Sequence, residues 1–250
     1  GLGWFDEQAH PHVSKQPIAA YGDAEFARRA QTARSRTFIA HIRFASTGSL
    51  TESNTHPFEQ NGRLFAHNGV LEGLPELERH LGAEMSLVHG ETDSERLFAL
   101  ITKETEAAGG DVSAGIEKAC RWVASELPLL AINFVLACAD GLWALRYPET
   151  HDLFVLERDA GAPLEHRSER FGTKVSSDSA SEIPLVTVAS ERMDQDPGWR
   201  ELESGELLHV SGTLLLSSRV ILDGPPAHPL TLADLPAHAR ASQVATPTEA

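Results

Sequence analysis

Cysteine is scarce in this chain. Cys120 and Cys138 are the only two, too few for a disulfide framework, so a reducing cytoplasm is the expected compartment. Basic charge is in deficit: 21 Lys and Arg stand against 36 Asp and Glu, a formal charge of −15. Such a chain repels phosphates, which argues against nucleic acid and disfavours an acidic membrane surface. No apolar run is long enough to span a bilayer. The longest, Leu127 to Ala139, contains Pro128 and Asn133 and reads as a buried strand. His-x-x-x-His and Cys-x-x-Cys pairs are absent and His10-Pro-His12 is too short to count, so neither a metal site nor another cofactor is expected. No signal-peptide pattern and no internal repeat stand within these residues, and the chain opens on Gly1 rather than methionine, so they do not decide targeting.

What is present suffices for one folded unit. With 41% hydrophobic residues in 250 positions, the chain can bury a substantial core as one domain, or as a domain with a tail. Asp23 to Arg36 reads as a helix, with Phe26, Ala30 and Ala33 at helical spacing behind an Asp23 cap. Thr37 to Ala45 carries the β-formers Phe38, Ile39 and Ile42 and reads as a strand. Asn61-Gly62 is a hairpin-type turn feeding a strand from Arg63, which Asn68-Gly69 ends. Pro75 and Gly82 bound a short helix. Thr92-x-x-Glu95 is a capping box opening a helix that Gly109-Gly110 ends. Asp111 or Ser113 starts the next helix, with Ile116, Cys120, Val123 and Leu127 along one face.

After these helices the pattern is strand. Leu130 to Ala139, Gly141 to Tyr147 and His151 to Glu157 form an expected meander. Ala160 to Glu182 reads as a polar surface loop. Ile183 to Ala189, Glu206 to Val210 and Thr213 to Ile221 return to strand. Helices in the middle with strand blocks on both sides imply an α+β layered fold. From Gly224 onward Pro, Ala, Thr and Ser dominate without periodicity, which reads as a mobile tail.

Four polar clusters stand against these elements: His41-Ile-Arg-Phe-Ala-Ser-Thr-Gly48, Thr55-His-Pro-Phe58, His67-Asn-Gly-Val70 and Gly90-Glu-Thr-Asp-Ser-Glu95. The Arg43 guanidinium matches a carboxylate bidentately, or serves a structural ion pair. Asn68-Gly69 offers a carboxamide and an unobstructed backbone N–H, two donors for a developing oxyanion, or else an ordinary turn. Asp93 could pair with an ammonium, or simply complement the dipole of its helix. His56 and His67 read as structural histidines. Together the clusters supply what is needed to hold an amino acid by both its charges while a carbonyl is attacked nearby.

In this order and spacing the clusters resemble those of the class II (N-terminal nucleophile) glutamine amidotransferases, in particular their stand-alone members related to γ-glutamyl hydrolases. The resemblance runs from about Gly1 to about Gly212. It implies a four-layer αββα sandwich, incomplete here at its N-terminus, with residues 1–222 as the amidotransferase domain and 223–250 as a Pro/Ala-rich tail. It implies that Arg43 contacts the substrate carboxylate, with Ser46 and Thr47 as the polar pair behind it. The second of that pair is often histidine in the family, and is threonine here. Asn68 and Gly69 form the oxyanion site, and Asp93 holds the substrate α-ammonium. The substrate would be glutamine or a γ-glutamyl compound, and the protein partners left open are a synthase subunit or a second copy of the chain.

The family's nucleophile is a cysteine that becomes the first residue after methionine removal, its own α-amine able to act as base. The chain instead begins Gly1-Leu-Gly-Trp4, which resembles a stretch a few dozen residues beyond that cysteine, and a truncated chain is the expectation. Cys120 on an apolar helix face and Cys138 in an apolar strand read as buried thiols. Two functions follow: hydrolysis of a γ-glutamyl amide through a cysteinyl thioester, or non-catalytic glutamyl binding by a protein that lost the nucleophile.

Overall fold

The computed structural model describes residues 1–42, 49–161, 164–167, 174–177, 181–237 and 239–240. Strand β1 (Leu2–Phe5) pairs antiparallel with β2 (Pro11–Ser14) on one side and β3 (Phe38–Ala40) on the other. Helix α1 (Ala24–Thr32) lies between β2 and β3 in the chain. Asp23 caps it, accepting from the backbone N–H groups of Glu25 and Phe26.

The hairpin β4 (Phe58–Gln60) and β5 (Arg63–Leu71) turns at Asn61-Gly62, both with positive φ. Helices α2 (Leu74–Leu81), α3 (Asp93–Ala107) and α4 (Val112–Glu126) follow, then β6 (Pro128–Cys138) and β7 (Gly141–Leu145). Beyond these come β8 (Phe154–Arg158), β9 (Leu164–Arg167), β10 (Lys174–Ser177), β11 (Leu185–Ala189) and β12 (Arg200–Glu201). The last strands are β13 (Glu206–Ser211), β14 (Leu216–Val220) and β15 (His228–Pro229).

The central sheet has the order β14-β13-β7-β6-β5-β4, antiparallel throughout, with β15 added parallel to the start of β6. Side chains alternate across it. Phe65, Ile132, Phe134, Leu136, Leu145 and Leu207 join the core formed with α2, α3 and α4. The opposite face meets two small sheets. Phe5 and Ile39 of the β2-β1-β3 sheet pack on Leu64, Ala66 and Ala137. Leu153, Val155 and Val186, from the β11-β8-β12 sheet and the chain leading into it, pack on Ala144, Leu208 and Val210. Helix α1 lies on the outside of β1, the Arg29 guanidinium 5.6 Å from the Trp4 ring centre. These are the layers of an αββα sandwich of the N-terminal nucleophile hydrolase type, and β6, buried between two of them, explains the longest apolar run.

Several sequence expectations differ from this arrangement. The meander stops at β7. Its next neighbour is β13, while β8 crosses to the second sheet layer because Leu153 and Val155 complete the core there. The stretch read as a loop after Ala160 contains the ribbon of β9 and β10. β5 does not end at Asn68-Gly69 but pairs with β6 through Leu71, with an irregularity at Val70/Leu71. The segment expected as a mobile tail has packed contacts as far as Arg240. Leu235 and Ala239 join Val70 and Leu130 in a cluster of their own, and the Leu230 N–H donates to the Leu129 carbonyl. Low periodicity hid this docking, since it rests on three apolar side chains, Leu230, Leu235 and Ala239, and one short parallel pairing.

Candidate active site at the end of strand β5

The site grows from where β5 outruns its neighbour. β4 pairs only with Arg63 to Phe65, so beyond that point one edge of β5 has no ladder partner among the described residues. Alternate backbone N–H groups along such an edge are open to a ligand. Asn68 lies on this stretch, paired through its other edge with Asn133 of β6, and is exposed. Gly69 follows, partly exposed. A Cβ there would stand 1.9 Å from the Ala131 carbonyl oxygen and 2.7 Å from the His67 Nε2. The approach of β6 therefore demands glycine whatever else the residue does.

The N-terminus of α3 is stitched to β5 on both sides of this dipeptide. His67 Nδ1 lies 3.0 Å from the Ser94 Oγ. The Asp93 carboxylate accepts from the Leu71 N–H at 2.9 Å and from the Ser94 N–H at 2.9 Å. Asp93 is only 2% exposed, and the Ser94 hydroxyl also approaches its carboxylate, at 3.4 Å. Burial holds His67 below the usual histidine range, opposed by the charge of Asp93. The ring is thus a neutral strut between strand and helix, the structural part read for it from sequence. Asn68, Gly69 and Asp93 are brought to one end of β5. Arg43, Ser46 and Thr47 lie outside the described residues.

The capping box forms by half. The Thr92 hydroxyl accepts from the Glu95 N–H, as its spacing predicts. Glu95 turns away, and its carboxylate accepts from the His89 and Gly90 N–H groups. Two N–H groups in the approaching loop offer it more than one at the cap.

Three side chains have no role assigned from the sequence. Asn133 donates to the carbonyls of His151 and Asp152 and accepts from the Tyr147 N–H, bracing β6 behind Asn68. A lone amide inside an apolar run was the available signal. Asn54 is fully buried in the 3-10 turn Glu52–Asn54. Lys15 donates to the Pro57 carbonyl and stands 4.9 Å from the Phe58 ring centre. Burial holds its amine below the usual lysine range, against the charges of Glu95 and Glu52. Nothing local in the sequence marks Lys15, because its neighbours come from across the fold. Beside it His41 and His56 place their rings 4.2 Å apart.

Neither cysteine is at the site. Cys120 is enclosed in the helical core, where burial pushes its thiol well above the usual range. Cys138 is partly buried at the far end of β6, its thiol pushed up to about 11 by the same cause. Among the described residues no group of three or more His, Cys, Asp or Glu side chains could hold a metal ion. Among them, too, no helix is long and apolar enough to cross a membrane.

Comparison with known proteins places this arrangement. The γ-glutamyl-hercynylcysteine sulfoxide hydrolase of Mycolicibacterium smegmatis is 29% identical over 213 residues, covering 84% of this chain and 76% of that one. The probable glutamine amidotransferase DUG3 of Saccharomyces cerevisiae is 30% identical over 106 residues, 40% of this chain and 30% of its own length. The chain thus matches less than a third of the yeast relative. In fold, a glutamine aminotransferase class-II domain protein of Silicibacter pomeroyi superposes with a TM-score of 0.61 at 23% identity, over 90% of this chain and 91% of that one. Residues 1–222 match the family model of the class-II glutamine amidotransferases, and the chain belongs to that family.

Proposed function

We propose that this chain carries the substrate-binding and oxyanion-stabilising parts of a hydrolase that cleaves the γ-carboxamide of glutamine or of a γ-glutamyl compound. The observation that carries the proposal is the edge of β5 at Asn68-Gly69, without a ladder partner among the described residues, with the acidic N-terminus of α3 fastened beside it. Arg43 reads the substrate α-carboxylate, with Ser46 and Thr47 supporting that end, and Asp93 takes the α-ammonium. The relative from Mycolicibacterium smegmatis, by its name a γ-glutamyl hydrolase, supports a γ-glutamyl compound as substrate.

In this reading a cysteine thiolate attacks the γ-carbonyl carbon. The electron pair of the C=O bond moves to oxygen, where the Asn68 carboxamide and the Gly69 N–H stabilise the charge, each donor worth roughly 3–4 kcal/mol. The C–N bond then breaks, the leaving amine takes a proton, and water hydrolyses the thioester to release glutamate and restore the thiol. Burial of Cys120 and partial burial of Cys138 disfavour both as that nucleophile, and in this reading the thiolate is supplied from outside residues 1–250. Ammonia or amine leaves to water or to a synthase subunit. A cytoplasmic location suits such a thiol.

The test is the genomic sequence upstream of Gly1 and the protein it encodes. An in-frame Met-Cys start, and glutamate release by the protein that includes it, is the expected result. A start at Gly1 in the natural protein would instead favour a glutamyl-binding protein without catalysis. In the active protein Arg43→Ala should chiefly raise KM, because the substrate carboxylate carries one charge in ground and transition states alike. Turnover by residues 1–250 alone would overturn the assignment of the nucleophile.

A further inference from the structure

The motif Gly90-Glu-Thr-Asp-Ser-Glu95 contains two residues that the reading above leaves without a role, Gly90 and Glu91. One Glu91 carboxylate oxygen accepts three hydrogen bonds: from the Ser49 N–H at 2.9 Å, the Ser49 hydroxyl at 2.8 Å and the Asn54 carboxamide at 3.1 Å. The same carboxamide donates to the Ser49 carbonyl at 3.0 Å, and its oxygen accepts from the Glu91 N–H at 2.7 Å. Asn54 thereby closes a ring of bonds between the chain at Ser49 and the chain entering α3. A Cβ at Gly90 would stand 2.4 Å from the Asn54 Oδ1, so the two segments meet as closely as backbone allows. Ser49 donors, with Asn54 behind them, hold the Glu91 carboxyl below the usual carboxylate range, which keeps it charged in the ring at neutral pH.

The ring sits two residues before Asp93 and one residue after the Arg43–Gly48 segment. A buried amide with every polar atom occupied is a costly way to hold a surface glutamate, and an orderly way to fix two loops to each other. We propose that Asn54 and Glu91 are positioning residues that set the height of the α3 N-terminus, and with it the Asp93 carboxylate, relative to the strand bearing Asn68-Gly69. They touch no reacting atom. Their effect falls on recognition of the substrate's α-ammonium rather than on the oxyanion. The proposal rests on the role given to Asp93 above.

Glu91 offers the cleaner variant, since its side chain is at the surface and its removal leaves the core intact, whereas Asn54→Ala empties a fully buried site. In the turnover-competent protein, Glu91→Ala should raise KM roughly tenfold with kcat held within about twofold, as expected for losing charge-assisted bonds that orient a binding group. Glu91→Gln, which keeps an acceptor oxygen for Ser49 and Asn54, should return KM to within about threefold of the parent. Amide exchange, readable in any folded form of the chain, should quicken at residues 89–93 in Glu91→Ala and not at β13. Asp93→Asn separates the two claims. If it raises KM while Glu91→Ala does not, the positioning role is overturned and the substrate reading stands. If Asp93→Asn leaves KM unchanged, the substrate reading falls and the positioning role with it. Unchanged exchange at 89–93, or a loss in kcat rather than KM, would also overturn the positioning role.

Discussion

Asn68→Ala separates chemistry from folding more cleanly than any other change at the site. Asn68 is exposed on β5 beyond its pairing with β4, and among the described residues its side chain joins no core cluster. The expected cost in stability is within about 0.5 kcal/mol, the range of surface substitutions. If its carboxamide faces the oxyanion, removal costs about 2.7–4 kcal/mol of transition-state stabilisation, a fall of roughly 10²–10³ in kcat. Gly69→Ala behaves in the opposite manner. Its new methyl group lies 1.9 Å from the Ala131 oxygen, inside any permitted contact, so strand pairing must shift and stability falls with activity. The assay is steady-state glutamate release by the protein bearing its nucleophile, with thermal unfolding of each variant alongside. Asn68→Ala should melt like the parent and lose kcat with KM nearly kept. A variant that retains kcat, or that loses it only in proportion to lost folding, would refute the oxyanion assignment.

Three further outcomes are expected. Cys120 and Cys138 should resist alkylation in the native protein at neutral pH, because burial raises both thiols, Cys138 to about 11, and rapid native-state labelling would reopen the search for the nucleophile. Burial lowers the folded-state pKa of His67 beneath the ordinary 6.5, so its unfolded form binds a proton first. Stability should therefore be fully present above about pH 6.5 and decline as the pH falls below it, a slope that chemical denaturation should find reduced in His67→Gln. Leu235→Ala, at a residue 2% exposed against Val70 and Leu130, should cost about 2–5 kcal/mol in urea unfolding, whereas a free tail would leave the midpoint unmoved.

Local signals were legible in the sequence wherever the physics is local. Asp23, Thr92 and Asp111 cap α1, α3 and α4 because a side-chain oxygen reaches an N–H two or three residues away. Asn61-Gly62 turns the β4–β5 hairpin for an equally local reason, the left-handed backbone those residues tolerate. The order of the polar clusters identified the family, since catalytic groups recur at strand and helix ends in a fixed sequence. Register and partnership were not legible. Whether β7 pairs with β8 or β13 depends on which apolar face is left to cover, and that is known only once both sheets exist. Asn61-Gly62 and Asn68-Gly69 share a dipeptide; the first turns as its local preference predicts, and only the pairing of β5 with β6 through Leu71 makes the second part of a strand. Glu95 reads as a cap and binds a loop, and Asn54 reads as nothing and closes a ring between two segments 37 residues apart. Long-range hydrogen bonds leave no periodicity behind, because what selects their partners is proximity in the folded chain, and sequence spacing carries none of it.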